Sequence, residues 1–320
     1  MNPKIIFVTP FSAAADRARE MTPAGFDLVV AEAPSAGFDA AVGDAEYLVG
    51  FVDGLVKPDL FKKGPKLKLI QLLSAGYDKA DIAAARKAGV PICNNGGANS
   101  TAVSEHALMM MLALSRRLIF QHANVAAGRW RGNETPKLHE LKGKTCGIVG
   151  LGSIGTKTAR LALAFGMNVI YYDTARLTEK DEDDLGVRFR LLREVLRESD
   201  IISLHVPLND ATRHMISTKE LAEMKETAIL VNTARGPVVD EAALHDALTK
   251  GTIAAAGLDV FEQEPPPADH PFFGLDNVIL SAHMAGPTFE SNLPRVRNAF
   301  DNVQRVSRGE KPLWIIPELC

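Results

Sequence analysis

Residues 146–155 read CGIVGLGSIG, a strand-like run followed by glycines at positions 150, 152 and 155. The overlapping residues 153–165 (SIGTKTARLALAF) have the composition of a helix that ends at Gly166. A second strand-like run, NVIYYD, ends in Asp173, about 20 residues beyond the glycines. A strand, a glycine turn, a helix and an acidic strand end, in this order, predict a dinucleotide-binding βαβ unit.

Each key residue of that unit has a predicted task. Gly150 allows a tight turn, Gly152 lets the backbone approach a pyrophosphate, and Gly155 lets the helix pack close to the strand. The free N–H groups of the helix N-terminus would bind the anion. The Asp173 carboxylate accepts from a ribose 2′-hydroxyl and repels a 2′-phosphate, which favours NAD(H) over NADP(H). Arg176 would offset part of that repulsion, and a glycine-rich turn without any ligand is the alternative interpretation.

Strand-like runs alternate with helical stretches on both sides of this unit, which is typical of parallel α/β sheets. Helices are predicted at residues 78–89, 102–120 and 289–309. The strand-like runs are KIIFVTP, FDLVVAE, EYLVGF, LKLIQLL, GVPICN, KTCGIVG, MNVIYYD, SDIISLHVP, TAILVNTA, TIAAAGLDV and NVILSAH.

This alternation predicts an α/β fold with two doubly wound parallel-sheet domains. A Rossmann NAD-binding domain at residues 99–286 would be inserted into a smaller, flavodoxin-like substrate domain. That smaller domain would combine residues 1–98 with residues 287–320.

Composition excludes several classes of protein. A net charge of −3 over 320 residues gives no reason to expect a nucleic acid or a membrane as partner. The most apolar helix, at residues 102–120, has an uninterrupted apolar core too short for a bilayer span. The three cysteines have no spacing typical of metal ligands, so no metal is expected, and their low, odd number suits a reducing compartment. We therefore expect a cytoplasmic protein.

Polar residues follow the later strands, at the sheet edge where doubly wound folds bind ligands. Arg235 follows AILVNTA, Asp259 and Glu264 lie in and after GLDV, and His283 follows NVILSA. Each also has an unremarkable interpretation: a surface arginine, a solvated acidic loop, and a hydrogen-bonded histidine at a strand end. His106, in the long apolar helix, is interpreted as structural, and His205 is expected to line the adenine side of the cofactor site.

An arginine, a carboxylate and a histidine beside a nicotinamide suit the reduction of a 2-keto acid. The planar fork of Arg235 would hold the substrate carboxylate and carbonyl. His283 would give a proton to the carbonyl oxygen, and take it back in the reverse direction. Glu264 would fix the tautomer of His283.

In these residues and in the stretches around them, the chain resembles the D-isomer-specific 2-hydroxyacid dehydrogenase family over nearly its whole length. The matching stretches are LLSAGYDKADIAAARKAGV, NSTAVSEHALMMMLAL, GKTCGIVGLGSIG, SDIISLHVPLNDATRHMI, ILVNTARGPVVDEAAL, AAAGLDVFEQEP and NVILSAHMAG. The resemblance implies catalytic roles for Arg235, Glu264 and His283, and a homodimer acting on a small 2-keto or 2-hydroxy acid. It also implies substrate binding by the backbone of Ser74, Ala75 and Gly76, and dinucleotide contacts from Ser153, Ile154, Asp173, Val206, Thr233 and Asp259.

The chain departs from the family pattern in places that concern its substrate. Met284 to Pro287 replace the small-residue pair that is commoner after the histidine. The chain ends at Cys320, without the regulatory extension of many phosphoglycerate dehydrogenases. Leu72 and Leu73, ahead of the SAGYD stretch, are expected to form an apolar wall that favours a small unphosphorylated acid. The SAGYD stretch itself is similar to that of glyoxylate and hydroxypyruvate reductases.

Two other functions stay open at this point. A dehydrogenase of the same fold could act on another small anion, such as formate or phosphite. A protein of a different class could use the same fold to sense NAD(H) without catalysis, as related transcriptional corepressors do. Arg235, Glu264 and His283 favour the enzyme over the sensor, although a sensor can retain all three.

Overall fold

Every ladder between the strands of the computed structural model is parallel. The structure describes residues 2–132 and 136–320. These residues divide into unit 1, formed by residues 2–99 and 287–320, and unit 2, formed by residues 100–132 and 136–286. The assignment of substrate binding to unit 1 stays a prediction.

The strands have the following bounds: β1 (Lys4–Val8), β2 (Asp27–Ala31), β3 (Tyr47–Gly50), β4 (Leu69–Leu72), β5 (Ile92–Cys93), β6 (Thr145–Val149), β7 (Asn168–Tyr172), β8 (Val187–Phe189), β9 (Ile201–Leu204), β10 (Ile229–Asn232), β11 (Ala255–Leu258) and β12 (Val278–Leu280). The α-helices are α1 (Ser12–Met21), α2 (Ala36–Val42), α3 (Pro58–Lys63), α4 (Ile82–Ala88), α5 (Ser100–Ser115), α6 (Leu118–Ala126), α7 (Ser153–Ala164), α8 (Glu179–Leu185), α9 (Leu192–Glu198), α10 (Thr218–Glu223), α11 (Glu241–Lys250) and α12 (Phe289–Ser307).

The two sheets have the strand orders of two different doubly wound folds. In unit 1 the order is β2-β1-β3-β4-β5, which is the flavodoxin-like arrangement. In unit 2 the order is β12-β11-β10-β9-β6-β7-β8, which is the Rossmann arrangement with one strand added at the β12 edge. The predicted fold class is confirmed. In unit 2 the strand order reverses between β6 and β9, where such sheets bind their ligands.

Both faces of each sheet are covered, because successive side chains of a strand point to opposite faces. In unit 1, Ile6 of β1 and Leu48 of β3 pack into one core, whereas their neighbours Ile5 and Tyr47 pack into the other. All four side chains are at most 1% exposed. This double burial explains why the strands read as nearly continuous apolar runs in the sequence.

The predicted helices have outcomes of two kinds. The helix at 289–309 is confirmed as α12, and the helix at 78–89 as α4, which is capped by the Asp81 side chain and ends at Gly89 with φ of 68°. The single helix at 102–120 is wrong. The chain breaks between α5 and α6 at Arg117, which has φ of 50°, a left-handed conformation that no continuous helix contains.

One strand of unit 2 was not predicted. β8 has only three residues, Val187–Phe189, and lies at the sheet edge beside β7. Its central residue, Arg188, is exposed, so the sequence there has no apolar run to indicate a strand. Within the described ranges, none of the helices is long and apolar enough to cross a membrane.

Candidate active site

The glycine loop of unit 2 joins the end of β6 to the start of α7. A Cβ atom on Gly150, which has φ of 94°, would lie 2.8 Å from the backbone carbon of His205, and one on Gly155 would lie 2.1 Å from the Gly150 carbonyl oxygen. The protein's own backbone therefore requires these two glycines. A Cβ atom on Gly152 would meet nothing within 4 Å, so the space beside Gly152 is open to a ligand.

The N-terminus of α7 adds hydrogen-bond donors to that open space. Gly152 is the N-cap residue and has no side chain to pair the first N–H groups of the helix, those of Ser153 and Ile154 included. The helix is 12 residues long, so its dipole adds to the attraction for an anion. This end of α7 fits a pyrophosphate.

Asp173 follows β7 and contacts the same loop. Its Oδ2 atom accepts a hydrogen bond of 2.7 Å from the Leu151 N–H, and its Oδ1 atom accepts one of 3.0 Å from the Ala175 N–H. Both bonds orient the carboxylate that is predicted to accept from a ribose hydroxyl, and one of them ties the carboxylate to the glycine loop.

Arg176, the residue that could offset repulsion of a 2′-phosphate, is held elsewhere. Its Nε atom donates to Glu182 Oε1 at 2.9 Å, and its guanidinium lies 5.3 Å from the centre of the Phe189 ring. The hydrogen bond from Arg176 is the main cause that lowers the pKa of Glu182. Glu182 also accepts a hydrogen bond from the Tyr171 hydroxyl, so the partner of Arg176 is itself held by the structure of unit 2.

Two buried polar atoms lie at the carboxyl ends of β9 and β10 without a hydrogen-bond partner among the described residues. They are Nδ1 of His205, directly after β9, and Oγ1 of Thr233, directly after β10. Buried polar atoms are nearly always paired, so these two fit a site completed by a bound ligand. Val206, the next predicted contact, is half-buried beside Gly150. The residues at this edge therefore fit a dinucleotide.

His205 has a consequence for acid stability. The residue as a whole is half-buried, but its Nδ1 atom is inaccessible to solvent and its Nε2 atom lies 2.9 Å from the buried Ser203 hydroxyl. Burial of the ring lowers the pKa of His205 to about 3. The unfolded chain protonates the ring near pH 6.5, so it binds more protons than the folded protein at pH values between the two pKa values. We expect the free energy of unfolding to decrease as the pH is lowered through that window, by up to about 1.4 kcal/mol per pH unit.

Urea unfolding at a series of pH values from about 7 down to 5 measures this slope. His205→Gln keeps a polar side chain but has no group to protonate, so its slope should be shallower than that of the unchanged protein. Equal slopes would show that another group causes the acid sensitivity.

The loop after β10 carries Arg235 and is held by a residue outside the predicted site, Asn232. Asn232 donates to the Arg235 carbonyl oxygen at 2.9 Å and accepts from the Ala234 N–H at 3.0 Å. A Cβ atom on Gly236 would lie 1.9 Å from the Phe261 carbonyl carbon, so the loop packs directly on the backbone that leads to Glu264. A buried asparagine at a strand end, followed by small residues, is the signal that could have indicated this clamp.

Glu264 and His283 form a hydrogen-bonded pair. His283 Nδ1 lies 2.8 Å from Glu264 Oε2, and the Phe261 N–H donates to Glu264 Oε1 at 3.2 Å. Burial raises the pKa of Glu264, but the hydrogen bond and charge of His283 outweigh it, so the net pKa lies below its ordinary value. The charge on Arg235 lowers this pKa further. The structure therefore pairs Glu264 with His283, and Arg235 acts on the same carboxylate through its charge.

Asp259 is buried completely and anchors the loop that carries His283. Its Oδ1 atom accepts from the Met284 N–H at 2.8 Å and its Oδ2 atom from the Ala285 N–H at 2.9 Å. Its backbone carbonyl accepts from the His283 N–H at 2.7 Å. The dinucleotide contact of Asp259 stays a prediction, and its observed task is to hold this loop.

The predicted substrate loop of unit 1 follows β4. Ser74, Ala75 and Gly76 are half-buried, and none of the described residues accepts a hydrogen bond from the backbone N–H of Ala75 or Gly76. These N–H groups suit an anion, and their role stays a prediction. The expected apolar wall is wrong, because Leu72 and Leu73 are at most 1% exposed and pack into the two cores of unit 1.

Known proteins match this chain in sequence and in structure. The sequence model of the NAD-binding domain of D-isomer-specific 2-hydroxyacid dehydrogenases matches residues 108–285. A glyoxylate reductase of Korarchaeum cryptofilum is 40% identical over 274 residues, 85% of this chain and 82% of that one. A hydroxypyruvate reductase of Thermotoga maritima is 41% identical over 238 residues, 74% of this chain and 76% of that one.

A solved structure agrees over the full length. The crystal structure of a glyoxylate reductase from Paecilomyes thermophila superposes with a TM-score of 0.87 at 30% identity and covers 100% of this chain and 99% of that one. The family sequence model spans more than half of the chain, and the superposition with the solved structure covers all of it. The chain therefore belongs to the family of D-isomer-specific 2-hydroxyacid dehydrogenases, whose NAD-binding domain it carries.

Proposed function

We propose that this enzyme interconverts a small 2-keto acid and the matching D-2-hydroxy acid with NAD(H). The observation that carries the proposal is the pair of His283 and Glu264, joined at 2.8 Å, with the charge of Arg235 acting on the same carboxylate. The named relatives that reduce glyoxylate and hydroxypyruvate support a substrate of this size.

The three residues divide the work of the reaction. Arg235 binds the carboxylate and the carbonyl of the keto acid through its planar fork, which orients the carbonyl and stabilises negative charge that develops on its oxygen. The nicotinamide, when bound, supplies or accepts the hydride. Asn232 and Gly236 fix the loop, so Arg235 is held ready before the substrate arrives.

His283 moves the proton. Its Nδ1 atom faces Glu264, so Nε2 is the nitrogen that exchanges a proton with the substrate oxygen. In reduction, the imidazolium donates to the oxygen of the former carbonyl, and in oxidation the neutral ring takes the proton back. The Glu264 carboxylate stabilises the imidazolium and holds the ring orientation. As the general acid and base, His283 contributes about 10²–10⁴ in rate.

For the cofactor we propose NAD(H) rather than NADP(H). Asp173 carries a negative charge where a 2′-phosphate would bind, and its two hydrogen bonds hold it in place. Arg176, the nearby cation, is committed to Glu182 and stacked on Phe189. In this arrangement the Nε atom of Arg176 already donates to a carboxylate of the protein.

We also propose a homodimer that buries the apolar surface of α5 and α6. On these helices Met109, Leu118, Ile119 and Val125 are all about half exposed, and a groove of ≈ 440 Å³ beside them is lined mainly by apolar side chains. A second copy of the chain would cover this surface. The mass of the purified protein in solution should then be about twice the 34.5 kDa of one chain. The cytoplasmic location stays a prediction.

Steady-state assays of the purified enzyme test the proposed function. Glyoxylate, hydroxypyruvate, pyruvate and a bulkier 2-keto acid are each offered with NADH and with NADPH. We expect the highest kcat/KM with glyoxylate and hydroxypyruvate. We also expect the kcat/KM with NADH to exceed that with NADPH about tenfold or more, which corresponds to about 1.4 kcal/mol. Turnover of no keto acid would contradict the proposal, and tight NADH binding without turnover would identify a sensor.

A further inference from the structure

A chain of three side chains links helix α5 to the loop that carries His283, all within unit 2. His106 of α5 has its Nε2 atom 2.9 Å from the Ser281 hydroxyl oxygen, and that hydroxyl donates to Asp259 Oδ1 at 2.5 Å. The His106 side chain is 15% exposed and the Asp259 side chain 1%. The interpretation of His106 as a structural residue of an apolar helix does not account for this arrangement.

The chemistry of the three groups fixes the direction of both hydrogen bonds. Asp259 uses its carboxylate oxygens as acceptors, because both already accept backbone N–H groups. Ser281 has one proton, which it donates to Asp259, so its oxygen must accept from His106. His106 is therefore protonated at Nε2. The Nε2 atom is also 3.7 Å from Asp259 Oδ1, which adds attraction between the N–H dipole and the carboxylate.

The far end of the chain is the catalytic loop. Asp259 can bind the N–H groups of Met284 and Ala285 at once only while its carboxylate keeps one orientation. The three consecutive N–H groups of His283, Met284 and Ala285 therefore all donate to Asp259. His283 itself has φ of 54°. A left-handed conformation is unfavourable for a residue other than glycine, so the surrounding hydrogen bonds must hold it.

We propose that His106 is a positioning residue of the active site: through Ser281 it fixes the Asp259 carboxylate, which holds the backbone of His283. This inference rests on the proposed function for its effect on catalysis, but the hydrogen-bond chain itself is independent of any substrate. What matters is the Nε2–H donor and not the bulk of the ring. A residue that only fills space in α5 would not depend on that donor.

Two substitutions of His106 separate the donor from the bulk. His106→Gln places an amide N–H near the position of Nε2, and His106→Leu fills similar space with no donor. His139→Leu, an exposed histidine of the same unit, is the control. We expect His106→Leu to lower kcat for glyoxylate about tenfold to a hundredfold, the scale of a misplaced catalytic group, with the Kd for NADH changed less than about threefold. His106→Gln should recover most of kcat.

Hydrogen exchange of the peptide that spans residues 281–286 provides a readout without substrate. The N–H groups of Met284 and Ala285 should exchange about tenfold faster or more in His106→Leu than in the unchanged enzyme, and His106→Gln and His139→Leu should show slow exchange. Equal kcat and equal exchange in His106→Leu would overturn the proposal, as would equal losses in His106→Leu and His106→Gln. The two proposals can fail separately. If only His106→Leu exchanges fast but none of the proteins turns over a keto acid, the positioning role is supported and the proposed function is contradicted.

Discussion

His283→Ala should lower kcat for glyoxylate reduction by about 10²–10⁴, while the Kd for NADH stays within about twofold. The substitution removes the group that protonates the substrate oxygen and leaves a cavity that water fills. His283 belongs to the loop after β12, whereas the open space and donors that fit a dinucleotide lie at the β6–α7 turn. Cofactor binding and proton transfer should therefore separate in this variant.

Stopped-flow kinetics gives kcat, and the quenching of protein fluorescence gives the Kd for NADH. His139→Ala removes an exposed histidine from the same unit and should leave both values unchanged. Glu264→Gln keeps a hydrogen-bond acceptor but loses the charge, so it should show a smaller loss of kcat than His283→Ala. A parallel loss of kcat and NADH affinity in His283→Ala would mean that the histidine maintains the structure of unit 2.

The second large effect is expected at Arg235. Arg235→Gln removes the charge that holds the substrate carboxylate, and loss of such a contact costs about 2–5 kcal/mol. The kcat/KM for glyoxylate should fall about 30- to 5,000-fold. Arg235→Lys keeps the charge but not the planar fork, so it should recover only part of the loss. The backbone clamp from Asn232 acts on the Arg235 carbonyl, so it persists in both variants.

Arg193→Gln provides the matched control, because Arg193 is an exposed residue of α9 that forms an ion pair with Glu223 of α10. Its kcat/KM should equal that of the unchanged enzyme. Thermal unfolding of all three variants distinguishes lost contacts with the substrate from lost stability. An Arg235→Gln enzyme with unchanged kcat/KM would remove Arg235 from the substrate site and leave the His283–Glu264 pair without its proposed partner.

The sequence predicted those parts of the molecule that repeat a local pattern. Buried parallel strands appear in the sequence as apolar runs. Glycines are required at positions 150 and 155 because other backbone atoms lie too close for a side chain. Arg235, Glu264 and His283 could be grouped because the carboxyl ends of parallel strands meet at one sheet edge. The lowering of the pKa of Glu264 by both His283 and Arg235 agrees with that grouping.

The remaining features depend on contacts between residues far apart in the chain. His106 and Ser281 are 175 positions apart, so no local pattern indicates that they share a hydrogen bond. Asn232 resembles many other strand-end asparagines until its two partners are known. The sequence also does not indicate that Leu72 and Leu73 are both buried. Adjacent side chains point to opposite faces of the sheet, and in unit 1 each face has its own core.

The bond between Asp173 and the Leu151 N–H limits how this enzyme can be redesigned for a different cofactor. Deleting the carboxylate to admit a 2′-phosphate also removes the acceptor that restrains the turn between β6 and α7. An engineered variant needs a neutral oxygen at position 173, such as the carbonyl of asparagine, together with a new cation nearby. Truncating the side chain, as in Asp173→Ala, would remove the charge and loosen the turn between β6 and α7 in the same step.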